Sequence, residues 1–174
     1  MTGRWLAGLL ILVFCGCQNH PSRTWPETLS WVRATFPAVE QISTGDLARR
    51  LEASDGRAPV LIDVRSRREY AVSHLEAAQR AESVDAVETL VHGDRSTPIV
   101  LYCSVGYRSS QLAEALSEAG FTHVQNLEGS IFKWADEGRP VYRDGRRIDE
   151  VDPYDEDWGQ LLDRSLWPKD RPAE

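Results

Sequence analysis

Two short apolar runs, Val60-Leu61-Ile62-Asp63-Val64, interrupted only by Asp63, and Ile99-Val100-Leu101-Tyr102, each entered through a proline (Pro59 and Pro98), constrain this chain more than any other feature. A strand with one wet face alternates apolar and polar residues, whereas a run without alternation fits a strand covered on both faces, as in a parallel sheet. A third strand candidate runs from Val124 to Leu127, apolar at its two ends. Helical patterns lie between and around these runs. Ser43-Thr44 is placed to cap a helix running through Leu47, Leu51 and Ala53. Ser109 to Ala119 carries Leu112, Ala115, Leu116 and Ala119 on one face, with Gly120 to end it, and Gly129 to Trp134 should open a further helix. Strands alternating with helices predict an α/β fold, an open parallel sheet flanked by helices, in which ligands sit at the carboxyl ends of the strands. A chain of 174 residues accommodates one such domain.

The first residues read as an address. Arg4 is followed by the apolar run Trp5 to Phe14, too short to span a bilayer as a helix, which is the pattern of a secretory signal. Phe14-Cys15-Gly16-Cys17 resembles the bacterial lipoprotein box, with Gly16 before a lipidated Cys17; Phe14 and Cys15 depart from the usual residues. Residues 1–16 are therefore expected to be a signal peptide, and residues 17–37 a tether and N-terminal segment. The expected location is the bacterial cell envelope, membrane-bound through the lipid on Cys17. The residue after Cys17 is not Asp, which favours the outer membrane, facing the periplasm, in a Gram-negative host. Removal of Cys15 and acylation of Cys17 would leave Cys103 as the free thiol of the mature chain, better explained by chemistry than by scaffolding. The net charge of −7 argues against nucleic acid as a partner.

Cys103 follows the second apolar run directly and is separated from Arg108 by Ser104, Val105, Gly106 and Tyr107, with a helix beginning near Ser109. A strand, loop and helix in this order place a sulfur among backbone amides at a helix N-terminus, where amide donors and the helix dipole favour an anion. A thiolate there is a nucleophile with a lowered pKa. Gly106 permits the backbone of a tight cradle, and Arg108 adds a charge suited to an anionic substrate. Cys103 as a small buried apolar residue, and Arg108 as a structural ion pair with Asp63 or Glu69, are the plainer alternatives.

Four segments, in order, resemble the rhodanese homology domain over about residues 38–142. They are Leu61-Ile62-Asp63-Val64-Arg65 with Glu69-Tyr70; Ser73-His74-Leu75 with Ala77-Ala78; the loop from Tyr102 to Ser109; and Asn126-Leu127-Glu128-Gly129-Ser130 running to Trp134. Ser73, Glu76 and Ala77 depart from the glycine and Pro-Gly of the second motif. The resemblance implies that Cys103 is catalytic and that Ser104 to Arg108 bind substrate. It also implies that Arg65 and Glu69 form an internal ion pair, that His74 stabilises a turn and that Trp134 packs in the core. Relatives acting on phosphate or arsenate have a loop longer by one residue, so the shorter loop here favours sulfur chemistry. The implied reaction takes sulfane sulfur from thiosulfate or a similar anion onto Cys103 and passes it to a thiophilic acceptor, cyanide or a thiol. No cofactor is implied, nor a metal, since His20, His74, His92 and His123 lack ligand spacing with a cysteine.

A different class of function is a catalytically weak binding module. Residues 143–174 form a C-terminal extension, and its acidic and aromatic stretch Val151 to Leu162 could be an interaction arm. The alternative is a C-terminal helix packing Trp158, Leu161, Leu162 and Leu166 on the domain, with Asp155, Glu156 and Asp157 solvated.

Overall fold

The computed structural model describes residues 24–53 and 58–169. The expected signal segment, with Cys15 and Cys17, lies outside them. Helix α1 (Trp25–Thr35) is followed by β1 (Glu40–Ile42), α2 (Thr44–Glu52), β2 (Val60–Asp63), α3 (Arg67–Val72), β3 (Gln79–Arg80), α4 (Val84–Leu90), β4 (Ile99–Tyr102), α5 (Tyr107–Glu118), β5 (Val124–Leu127) and α6 (Ser130–Asp136). A hairpin of β6 (Val141–Arg143) and β7 (Arg146–Ile148) and a four-residue helix, α7 (Glu156–Gly159), complete the chain with a 3-10 turn at Arg164–Leu166.

The five strands β1 to β5 form one sheet in the order β1-β5-β4-β2-β3, with every pairing parallel. The central β4 is buried along its whole length, which is why its sequence shows no polar alternation. Its residues divide between two cores. Val100 and Tyr102 join Leu47, Leu61, Leu127, Ile131 and Phe132 on one face. On the other, Ile99 and Leu101 join Val32, Phe36, Val87, Leu112 and Leu116. Cys103 continues that second face, because side chains of a strand alternate.

The helix caps follow local chemistry. The Ser43 hydroxyl accepts from the Asp46 amide to start α2, and Ser66 with Glu69 forms a reciprocal capping box on α3. Helix α5 begins at Tyr107, two residues before the sequence pattern suggested, because the Gly106 carbonyl already accepts from the Ser110 amide at 3.1 Å. Residues 25–35, expected as part of an N-terminal segment without assigned structure, form α1. Val32 and Phe36 anchor it in the second core, and Arg33 pairs with Glu128.

The C-terminal extension packs on the domain as two short turns instead of one helix. Val151, Leu161 and Leu162 are buried, Trp158 and Leu166 partly so, and the Val151 amide donates to the Leu166 carbonyl at 2.7 Å.

Candidate active site at Cys103

Cys103 stands where β4 ends at the middle of the sheet, and a loop of four residues leads from it to Arg108 in the first turn of α5. The loop is held from beneath by α6. The Cys103 amide donates to the Ser130 hydroxyl at 3.0 Å, and that hydroxyl donates to the Leu127 carbonyl at 3.1 Å. The amides of Ile131 and Phe132 donate to the carbonyls of Cys103 and Ser104, both at 3.2 Å. Ser130 has a φ of +51°, a left-handed conformation costly for a residue with a Cβ. It occupies the place of the second glycine in the family motif, which was the one signal in the sequence for its special backbone. No separate role for Ser130 was read from the sequence.

The Gly106 amide donates to the Cys103 sulfur at 3.1 Å. Gly106 has a φ of +113°, which strains any residue with a side chain, and a Cβ there would also crowd the Asn126 side-chain amide nitrogen at 3.2 Å. Burial opposes ionisation of Cys103, but the Arg108 guanidinium, the amide and hydroxyl of Ser109 and the Gly106 amide outweigh it, holding the thiol below its ordinary pKa. The Ser109 hydroxyl is buried without another hydrogen-bond partner, so its proton can turn to the sulfur. The N-terminus of the 12-residue α5 adds its positive dipole end. This arrangement suits an anionic sulfur, as thiolate or as persulfide.

The ionic contacts differ from expectation. Arg65 and Glu69, expected to pair with each other, pair elsewhere. Arg65 is fully buried, turns back onto Asp63 with contacts of 2.7 to 3.1 Å, and donates to the Ser73 carbonyl. Its role is to tie the end of β2 to the segment after α3. Glu69 instead accepts from both terminal nitrogens of Arg108, at 3.0 and 2.7 Å. Ser104 joins them, its hydroxyl donating to Glu69 at 3.1 Å and accepting from Arg108 at 3.0 Å. Burial would raise the Glu69 carboxyl, yet hydrogen bonds and charge from Arg108, with those from Ser66, hold it down at about 2. Arg108 is thus an ion-pair partner as well as a loop residue, the plainer of its two expected roles.

A cavity of about 230 Å³ opens above the sulfur, lined by Trp31, Cys103, Ser104, Val105, Tyr107, Arg108, Tyr154 and Trp158. Gly106 contributes its amide to the sulfur and does not line the cavity. Trp31, Tyr154 and Trp158 were not expected at the site; they lie far along the chain from the loop and carry no local motif. His74 lies away from the cavity, where its backbone bridges Tyr142 and its ring packs on Tyr70 at 4.2 Å. Trp134 is buried in the first core and donates to the Pro140 carbonyl at 2.9 Å.

Residues 43–137, more than half of the chain, match the family model described as the rhodanese-like domain. The probable adenylyltransferase/sulfurtransferase MoeZ of Mycobacterium tuberculosis is 34% identical over 49% of this chain, a match that spans 22% of MoeZ. The thiosulfate sulfurtransferase GlpE of Pseudomonas fluorescens is 29% identical over 43% of the chain and 69% of its own length. The putative sulfurtransferase YtwF of Bacillus subtilis is 32% identical over 59% of the chain and 96% of its own length. Among solved structures, the Alr3790 protein of Anabaena sp. superposes with a TM-score of 0.53 at 29% identity, covering 59% of this chain and 81% of that one. A thiosulfate sulfurtransferase from Pseudomonas aeruginosa shares the fold, with a TM-score of 0.57 at 24% identity over 68% of this chain and 22% of that one.

Proposed function

Because the chain belongs to the rhodanese-like domain family, we propose that it is a sulfurtransferase that carries sulfane sulfur as a persulfide on Cys103. The Cys103 thiolate attacks the outer sulfur of a donor, the bond from that sulfur to the rest of the donor breaks, and the donor leaves with the electron pair. With thiosulfate the leaving group is sulfite. An acceptor nucleophile, cyanide or a thiol, then attacks the outer sulfur of the persulfide and returns Cys103 to the thiolate. The observation that carries this reading is the 3.1 Å contact from the Gly106 amide to the Cys103 sulfur at the start of α5. That contact stabilises the anionic nucleophile before transfer and the anionic persulfide after it. Relatives that bear the name sulfurtransferase support the same reading.

The reading includes attachment to the membrane by lipid on Cys17, supported by the composition of residues 1–17.

The deciding experiment is intact mass spectrometry of the purified protein. Thiosulfate should give an adduct heavier by one sulfur atom, and cyanide should discharge it stoichiometrically as thiocyanate. Cys103→Ser should show neither step while retaining the wild-type circular dichroism spectrum. If wild type takes up no sulfur from any sulfane donor, the domain is a binding module and the enzyme reading fails.

A further inference from the structure

The matched family segment begins at residue 43 and ends at residue 137, yet three of the residues lining the cavity over Cys103 come from outside it. Trp31 stands on α1, and Tyr154 and Trp158 belong to the C-terminal extension. Trp31 lies flat against Tyr107, with ring centroids 4.7 Å apart and planes 5° from parallel, and it stacks on Trp158 at 5.9 Å. Tyr154 covers the Arg108 guanidinium at 4.8 Å. The two flanking elements therefore meet over the loop and build an aromatic wall at the mouth of the site.

Both elements are held in place by contacts of their own. Val32 and Phe36 seat α1 in the core, and Phe36 also meets Tyr107 edge-on at 5.1 Å. The extension is anchored by buried Val151, Leu161 and Leu162. Tyr154 itself has a φ of +68°, a conformation disfavoured for an aromatic residue and kept only where the surroundings impose it. Among the described residues, Trp31 and Tyr154 are the large hydrophobic side chains left exposed, at 41% and 39%. Both stand at this rim.

The charge of the mouth is also distinctive. Among the described residues Arg108 is the sole cation lining the cavity, and both of its terminal nitrogens already face the Glu69 carboxylate. A small inorganic dianion entering here would give up its hydration for aromatic walls and a guanidinium that is already neutralised. A singly charged donor with a flat apolar group would instead cover the exposed rings. The volume of about 230 Å³ suits that shape, since a cavity of roughly 150 Å³ holds a benzene ring.

Resting on the sulfurtransferase reading, we propose that the aromatic wall selects an organic sulfane-sulfur donor with a flat, apolar substituent, of the aryl thiosulfonate or aryl persulfide type, over a small donor that lacks one. In the thiosulfonate case the Cys103 thiolate attacks the terminal sulfur, the bond between the two donor sulfurs breaks, and an arenesulfinate leaves with the electron pair. One anion is consumed for each anion released, so no proton or redox partner is needed. Trp31 and Tyr154 are specificity-determining residues in this scheme.

The test compares benzenethiosulfonate with methanethiosulfonate as sulfur donors to the full chain, reading persulfide formation by mass and rate. The ratio of kcat/KM for the two donors, compared between wild type and variants, cancels their intrinsic reactivities. Trp31→Ala should lower that ratio by about tenfold, Tyr154→Ala should lower it in the same direction, and Trp31→Phe should restore most of it. Benzenesulfinate should protect Cys103 from carboxymethylation at concentrations where methanesulfinate does not, a readout independent of turnover. A donor ratio equal within twofold in wild type and both alanine variants, with sulfur still transferred, overturns this inference and leaves the sulfurtransferase reading standing. Absence of loading by every donor overturns both.

Discussion

Glu69 and Arg108, 39 positions apart, form a two-pronged ion pair at 3.0 and 2.7 Å that closes the Cys103 loop from one side. Its asymmetry in burial decides what it does. The Glu69 side chain is 2% exposed, whereas that of Arg108 is 33% exposed and reaches the cavity. Glu69 also closes the capping box of α3 from its N3 position, so the pair ties that helix to the Cys103 loop as well as fixing the guanidinium.

Unequal costs are expected when either partner is removed. Arg108→Ala strands a buried carboxylate and should lower the unfolding free energy by about 3 kcal/mol at neutral pH. Glu69→Gln leaves a guanidinium that can turn to water and should cost about 2 kcal/mol or less. The double variant Arg108→Met with Glu69→Gln should recover part of the first loss. Because the Glu69 carboxyl is lowered from 4.5 to about 2, the stability it lends is complete above pH 4.5 and is lost as pH falls toward 2. Denaturant unfolding across that range should show a shallower acid limb in Glu69→Gln than in wild type.

The Arg108 charge also bears on the nucleophile. Burial disfavours the Cys103 anion and Arg108 opposes that effect, so Arg108→Ala should move the midpoint of the pH profile for Cys103 alkylation upward. In wild type the midpoint should lie below the ordinary thiol range. Iodoacetamide labelling rates between about pH 5 and about pH 11, more than two units on either side of the free thiol value of about 8.5, measure both. An unchanged midpoint in the variant would assign the lowered value to the amides and dipole of α5 alone.

For the N-terminus the expected outcome is a change of compartment. Cys17→Ser should abolish labelling by a palmitate analogue and leave an unlipidated precursor, whereas wild type should be labelled and extracted only with detergent. Wild type recovered from the cytoplasm with Met1 intact would remove the anchor reading.

The parallel sheet and the Cys103 loop were legible in the sequence because each depends on neighbours in the chain. Val60 to Ile62 and Ile99 to Tyr102 carry their burial as apolar runs without alternation, and Gly106 with its positive φ marks the turn that brings an amide to the sulfur. Contacts between distant residues were not legible. The family resemblance implied a pair of Arg65 with Glu69, but Arg65 lies before α3 and folds back beneath the end of β2 onto Asp63, leaving Glu69 to Arg108.

Local pattern determined which segments become strands and helices, and which residue is the candidate nucleophile, since periodicity, caps and a glycine act over a few residues. Only the tertiary structure decided what surrounds that nucleophile. Trp31, Tyr107, Tyr154 and Trp158 meet because α1 and the C-terminal extension are both drawn onto the same domain by their own buried side chains. Burial of apolar area is non-directional, so it specifies that these segments pack but leaves their meeting place to the shape of the folded sheet.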